Sequence, residues 1–379
     1  VRLAILNLVS VGMSRGYRKY LQKLLPRIRE DRRIEAIRVF PPEAISALPE
    51  FADLDMESYP AAWSLAGSDQ LMNSLRRFRL DVLFIPTARW INPGIAGATV
   101  VMVRNMEPLL GSAIRNPLGE RVKNLLRTYV ARSACQRADR VIAVSQYVRN
   151  FISDRWSLPE SKIGVVYHGV DLPDPQRELK RPEAATAMQP DRFLFVAGSI
   201  RPARGLEDLV AAFSHGGVRS DLRVLVAGTV DPGMNSYRTY LDRLISEHDL
   251  KGRFLWAGEL NGPEMSWCYR NCLCFIMTSR AEACPNTVLE ALAHGCVSIS
   301  TSTPPMPEFF ADEAFYYDQG DALTLAATIS KVGGLSAVEC NQRREAARAR
   351  ATAFNWETTA KKTVDDLLGI RNAKDRVSC

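Results

Sequence analysis

CLCFIMTSRAEACPNTVLEALAHGCVSIS, residues Cys272–Ser300, decides the fold. Cys272–Met277 and Val297–Ser300 are short apolar runs of strand length. Between them, Pro285 suits the first turn of a helix and Gly295 its end, so Asn286–His294 reads as a short helix. Strand, helix and strand in this order make one crossover of a parallel sheet. Outward from this unit the rhythm repeats, with candidate strands at Phe193–Gly198, Leu222–Ala227, Arg253–Ala257 and Phe315–Tyr317. Upstream lie Leu3–Val9, Ile34–Phe40, Asp81–Pro86, Val100–Arg104, Arg140–Ser145 and Ile163–Tyr167. Residues 173–190 interrupt the pattern with four prolines and few large apolar side chains, as a linker would. The sequence thus predicts α/β architecture: two doubly wound Rossmann-like domains facing across a cleft, over residues 1–172 and 191–355. Ligands of such sheets sit at the carboxyl ends of the strands, so the loops there are where chemistry is expected.

Composition narrows the class. The chain has 379 residues, enough for two cores. No apolar run reaches the roughly 20 residues of a membrane span, and Arg2–Val9 lacks the features of a secretory leader, so a cytoplasmic location is expected. Cys135, Cys268, Cys272, Cys274, Cys284, Cys296, Cys340 and Cys379 lack the paired spacings of zinc sites and read as buried reduced thiols. The net charge of +7 is uneven. The first 175 residues hold 25 Lys plus Arg against 17 Asp plus Glu, the remainder 24 against 25. The basic half and the near-neutral half are suited to different partners.

The helix predicted at Asn286 presents its amino end beyond the sheet, where backbone N–H groups and the helix dipole can hold a diphosphate. Glu282 lies in the loop before that helix and Glu290 inside it. Two carboxylates so spaced can take two sets of sugar hydroxyls; spacing alone is equally that of an exposed loop glutamate and an ordinary helix glutamate.

The segment RAEACPNTVLEALAHG, Arg280–Gly295, resembles the signature of the retaining family 4 glycosyltransferases of the GT-B fold. ADRVIAVSQYV from Ala138 and KIGVVYHGVD from Lys162 resemble the last strands of that family's first domain, with His168 where Asn is commoner. FLFVAGSIRPARGLEDLVAAF from Phe193 resembles the first strand, phosphate loop and helix of its second domain. Pro307-Glu308, FYYDQGDALTLA from Phe315, and FNWETTAKK from Phe354 follow in the family's order, the last starting a terminal helix, residues 356–379, that crosses back to the first domain. The resemblance implies transfer of a sugar from a nucleotide-sugar donor, UDP- or GDP-linked, to a glycan or lipid-linked acceptor, without a metal or cofactor. It assigns donor contacts to Gly16, Ser199, Arg201, Arg204, Glu282, Pro285, Asn286, Thr287 and Glu290, with Glu282 and Arg204 central to catalysis.

Departures from the family pattern bear on these assignments. Ser199 stands where Arg is usual and Arg204 where Lys is usual; Arg201 either supplies the missing cation or faces solvent. The first loop, Val9–Gly16, matches only the second glycine of a Gly-Gly pair, Gly16, since Arg15 precedes it; Gly12 lies earlier in the loop. One of Arg104, Asn105 and Glu107 faces the acceptor, and the sequence does not say which. Asp53-Leu54-Asp55 resembles a metal-binding motif of another fold but lacks its strand context. His215, His248 and His294 read as surface or cap residues. Leu118–Ala138 interleaves Leu118, Val122, Leu125, Leu126, Tyr129 and Val130 with Arg121, Lys123, Arg127, Arg132 and Arg137, and the first helix adds Arg15, Arg18, Lys19, Lys23, Arg27 and Arg29. Either the apolar positions are core, or this half meets an anionic membrane surface; no nucleic-acid partner is expected. The alternatives to a transferase are a sugar-nucleotide epimerase and a non-catalytic nucleotide-sugar-binding scaffold.

Overall fold

The computed structural model describes all residues except 9–13, 47–54, 60–64, 92–96, 112–113, 115, 177, 187 and 378–379. The chain forms two compact units. One holds Val1–Leu109, Leu125–Gly169 and Asn355–Cys379; the other holds Leu110–Asn124 and Val170–Phe354.

The first unit is built on β1 (Arg2–Leu6), β2 (Ala36–Phe40), β3 (Val82–Ile85), β4 (Ala98–Val103), β5 (Arg140–Ala143) and β6 (Ile163–Val165). Its helices are α1 (Arg15–Arg29), α2 (Glu43–Ser46), α3 (Leu65–Phe78), most of α4 (Leu118–Arg137), α5 (Gln146–Trp156) and the terminal helix Trp356–Val377. The strands lie in the order β2-β1-β3-β4-β5-β6, every pairing parallel. β3 and β4 are buried along their whole length, which is why they read as unbroken apolar runs. Helix α1 begins at Arg15, with Ser14 accepting the Tyr17 N–H at 3.4 Å, so Gly16 lies in the first turn and not in the loop ahead of it. The terminal helix is tied to this unit by Arg27–Glu357 at 2.7 Å, Arg33–Asp365 at 2.6 Å and a short Arg140–Asp366 pair.

The second unit holds β7 (Phe193–Ala197), β8 (Arg223–Ala227), β9 (Phe254–Gly258), β10 (Cys274–Met277), β11 (Ser298–Thr301) and β12 (Ala314–Tyr317). Its helices are α6 (Leu206–Ser214), α7 (Asn235–Glu247), α8 (Gly262–Asn271), α9 (Asn286–His294), α10 (Met306–Phe310), α11 (Ala322–Gly333) and α12 (Ala337–Ala351); the helix Trp356–Val377 is α13. The order is β12-β11-β10-β7-β8-β9, again all parallel. Leu194, Val196, Leu209, Val224, Ile276 and Ile299 belong to one buried cluster of this unit. Capping boxes start α8 (Asn261 with Glu264) and α12 (Ser336 with Glu339). The segment 173–190 packs on the second unit, where Arg181 lies 4.9 Å from the Trp267 ring and Lys180 3.2 Å from Glu264.

Both sheets are six-stranded, parallel and helix-covered, in agreement with the doubly wound expectation. Each also has one point where strand order reverses. In the second unit it lies between β7 and β10, so the loops after these two strands splay apart there, the position where open α/β sheets bind ligands.

Candidate functional site

The loop after β7 is shaped by glycines at positions where a Cβ would collide. Gly198 has φ +135° and backs onto the Arg204 guanidinium, while a Cβ on Gly228 would meet the Gly198 carbonyl oxygen at 1.9 Å. A single turn at Pro202–Arg204 follows, and Gly205 at φ +60° starts α6. A Cβ at Gly205 would strike the Thr278 carbonyl at 2.4 Å, so the loops after β7 and β10 touch backbone to backbone. Two hydrogen bonds fasten them: Arg280 N–H to the Ala203 carbonyl at 2.8 Å and Thr278 Oγ1 to the Arg204 carbonyl at 2.5 Å.

This contact brings Arg204 and Glu282 together. Arg204 Nη1 donates to the buried Ser279 hydroxyl at 3.2 Å and pairs tightly with Glu282 Oε1. Gly198, Ser199, Arg204, Met277, Thr278 and Ser279 line a small pocket at the carboxyl ends of β7 and β10. Arg201, by contrast, is turned to Asp231, 2.5 Å from its Oδ2.

Helix α9 begins beside this point. Pro285 occupies the N-cap and supplies no side-chain hydrogen bond; its carbonyl takes the Val288 and Leu289 amides at 3.0 and 3.2 Å. The Asn286 and Thr287 amides lie ahead of the helical ladder, at the positive end of the dipole. Gly295 at φ +70° closes the helix. Glu290, one turn in, accepts a hydrogen bond from the Tyr269 hydroxyl at 3.1 Å. Burial, followed by the Glu290 carboxylate, pushes that hydroxyl well above its ordinary pKa, so Tyr269 stays a donor.

A second charge cluster fixes the same loop from behind. Arg280 donates to Glu207 and to Asp208, each at 2.8 Å. Asp208 is 4 % exposed and also accepts from the Gly320 amide at 3.0 Å and the Tyr317 hydroxyl at 3.4 Å. Burial raises the Asp208 pKa, with Arg280 and the Gly320 amide drawing it back. Burial opposes the Arg280 charge, but Glu207 and Asp208 outweigh it and hold its pKa above the ordinary value. Sequence reasoning missed this network, because Glu207 and Asp208 lie 73 and 72 residues from Arg280 and no local spacing links them.

In the first unit, Arg104 stacks 3.6 Å from the Tyr17 ring centre and donates to the Pro86 carbonyl at 3.1 Å; burial lowers its pKa. Asn105 is exposed and its Oδ1 takes the Glu107 amide at 3.1 Å, while Glu107 is buried. Gly16 is half-buried next to Tyr17. Gly12, Asp53 and Leu54 lie outside the described residues; Asp55 pairs with Arg38 at 2.9 Å. His215 and His248 are the C-caps of α6 and α7, and His294 Nδ1 is 2.8 Å from the Glu290 carbonyl. Cys135, Cys268, Cys272, Cys274, Cys284 and Cys296 are buried; Cys340 departs from the expectation and is half-exposed in the first turn of α12, ahead of the buried Ala347 and Ala351, and Cys379 is not described.

Residues 177–350 match the family described as Glycosyl transferases group 1, and residues 39–173 match Glycosyltransferase Family 4. An uncharacterized glycosyltransferase of Methanocaldococcus jannaschii is 22% identical over 252 residues, taking in 63% of this chain. The match spans 60% of that relative's length. Among solved structures, HepE of Anabaena in complex with UDP-glucose is 18% identical with a TM-score of 0.74, covering 97% of this chain and 99% of that one. Sucrose-phosphate synthase from Thermosynechococcus elongatus gives 16%, 0.73, 98% and 99%, and the lipopolysaccharide outer core galactosyltransferase WaaB gives 13%, 0.67, 97% and 99%. The structural likenesses speak for the GT-B fold, and with the two family matches lying in sequence along most of the chain, it belongs to the family 4 glycosyltransferases, group 1.

Proposed function

We propose that the chain moves a hexose from a UDP- or GDP-sugar to a glycan or lipid-linked acceptor, with retention of anomeric configuration and without a metal. The observation that carries this reading is the Arg204–Ser279–Glu282 group beside the amino end of α9, at the reversal point of the second sheet. In this reading the diphosphate sits on Arg204 and the Asn286 and Thr287 amides, in the pocket that Ser199 lines. It displaces Glu282 from the guanidinium, and the freed carboxylate turns to the hydroxyls of the sugar. Glu290 holds the ribose, and Pro285 keeps the helix end open to the phosphates. Binding of UDP-glucose by the similar HepE supports a UDP donor.

The acceptor hydroxyl attacks the anomeric carbon on the face from which the diphosphate leaves. The carbon–oxygen bond to the β-phosphate breaks as the new glycosidic bond forms, and the hydroxyl proton passes to the departing phosphate. Charge grows on the diphosphate, so Arg204 and the helix end contribute most in the transition state. Arg104, Asn105 and Glu107 are assigned to the acceptor; Asn105, the exposed one of the three, is its first contact.

One observation favours a second reading, a weakly active nucleotide-sugar binder: Arg201, the candidate substitute for the cation absent at Ser199, is paired with Asp231. A thermal-shift screen of UDP-, GDP-, ADP- and TDP-sugars tests both, since a ligand at 100 times its Kd stabilises by about 2.7 kcal/mol. Stabilisation by none refutes the donor site. Stabilisation without slow donor hydrolysis favours the binder, and an inverted product in anomeric NMR refutes retention.

A further inference from the structure

Among the described residues, nine large apolar side chains are exposed, and five of them sit on α4: Leu118, Val122, Leu125, Leu126 and Tyr129, each 65–76 % exposed. Their spacing, i, i+4, i+7, i+8 and i+11, sets them in one stripe about 100° wide. By the same helical period, exposed Arg121 and Arg132 run along one side of the stripe and exposed Lys123 and Arg137 along the other. The opposite face seats the helix: Asn124, Ala131, Ala134 and Cys135 are buried, and Thr128 Oγ1 donates to the Pro108 carbonyl at 2.7 Å. The apolar stripe is therefore not core; the helix is held without it.

We infer that this face of α4 is a docking surface for an anionic lipid bilayer. An apolar stripe between two rows of cations is the form of a helix that lies in the headgroup plane, with Leu and Val in the acyl boundary, Tyr at the headgroup level and Arg and Lys at the phosphates. Charge complementarity selects a bilayer over a protein partner, because cores of protein interfaces are depleted in charge. Along α4 five cations face a single acid, Glu120, which already lies 3.8 Å from Lys123. No helix among the described residues is long and apolar enough to cross a membrane, so attachment through them requires a surface of this kind. The inference deepens the acceptor half of the proposed function, since a lipid-linked acceptor is presented at such a surface. The vesicle assay below contains no nucleotide, so it and the donor reading can fail separately.

The test is co-sedimentation of the full chain with vesicles of phosphatidylcholine alone and of phosphatidylcholine with phosphatidylglycerol. Binding to the anionic vesicles is expected, falling when salt is raised from about 0.1 M to 1 M as the screening length drops from about 10 Å to about 3 Å. Each Lys or Arg at a charged bilayer contributes about a fivefold factor, so Arg121→Ala with Arg132→Ala should lower binding by about 25-fold. Leu125→Glu with Leu126→Glu should abolish it while leaving the melting temperature unchanged, because both side chains are already in solvent. Equal binding to both vesicles, no binding to either, or undiminished binding of both variants overturns the inference. So does a dimer in sedimentation velocity that the Leu125→Glu, Leu126→Glu variant dissociates, which would make the stripe a contact between copies of the chain.

Discussion

Replacing Arg280 by Met tests whether the network behind the β10 loop holds the site. The guanidinium side chain is 15% exposed, Asp208 4% and Glu207 23%, so this is a buried cluster. Removing one partner of a buried pair costs about 3–5 kcal/mol, against about 0–1 kcal/mol for a surface bridge. Asp208 bears most of the loss because its side chain is the more deeply buried of the two acids, 4% exposed against 23%, although the Gly320 amide and the Tyr317 hydroxyl still donate to it. The sign with pH follows from the raised Asp208 pKa. A carboxyl raised on folding contributes stability that is fully present below its unfolded pKa, about 3.9, and lost as pH climbs through the folded value. Without Arg280 that value rises further, and each added unit is worth about 1.4 kcal/mol once the pH lies above it. Urea unfolding should therefore show a larger penalty for Arg280→Met at pH 8 than at pH 5, and Asp208→Asn in the same chain should remove the pH dependence. A penalty below about 1 kcal/mol at both pH values, or one equal at both, would refute the reasoning.

Arg204→Ala should weaken nucleoside diphosphate binding in calorimetry by about 1.5–3 kcal/mol, the range for a hydrogen bond to a charged group; an unchanged Kd removes Arg204 from the site. Glu282→Ala should lower kcat while leaving or tightening diphosphate affinity, because Glu282 competes for the Arg204 guanidinium; a parallel loss of both would contradict the assigned role. Glu290→Ala should instead weaken the free nucleotide, and it also strips the Tyr269 hydroxyl of its carboxylate, at a cost to stability of about 1–3 kcal/mol in thermal unfolding. Gly228→Ala should destabilise by at least about 1–3 kcal/mol, since its φ of +145° disfavours a side chain and the Gly198 carbonyl occupies the space; wild-type stability would show that the loop can shift.

Most of the fold was legible because parallel strands are buried on both faces and leave apolar runs that need no partner to be recognised. The twelve strands lie where those runs are, with ends moved by up to three residues. Helix α9 was read from Asn286 to His294 because Pro285 and Gly295 punctuate it chemically. The start of α1 was read two residues late, since Arg15 and Gly16 resemble loop residues and the cap comes from Ser14. Motifs named Arg204 and Glu282, but not that they pair, as 78 residues separate them. Arg280 carried no signal at all: a charged residue in a loop reads as solvated until its buried acids are seen.

Helix α4 marks the limit of pattern reading more sharply than any loop. Its periodicity fixed which side chains share a stripe but could not fix which side of the helix meets the protein, because an apolar stripe is equally the mark of a core face and of a membrane face. Packing decides, and it does so through the small residues: Ala131, Ala134 and Cys135 let the helix approach closely on the side that carries no large apolar groups. A helix seated by alanines and cysteine gives up the burial that five larger side chains would have contributed, roughly 1.5–3 kcal/mol for each fully buried Leu or Val. Leu118, Val122, Leu125, Leu126 and Tyr129 thus contribute little to the fold as it stands, and that is the reason to test them for a role outside it.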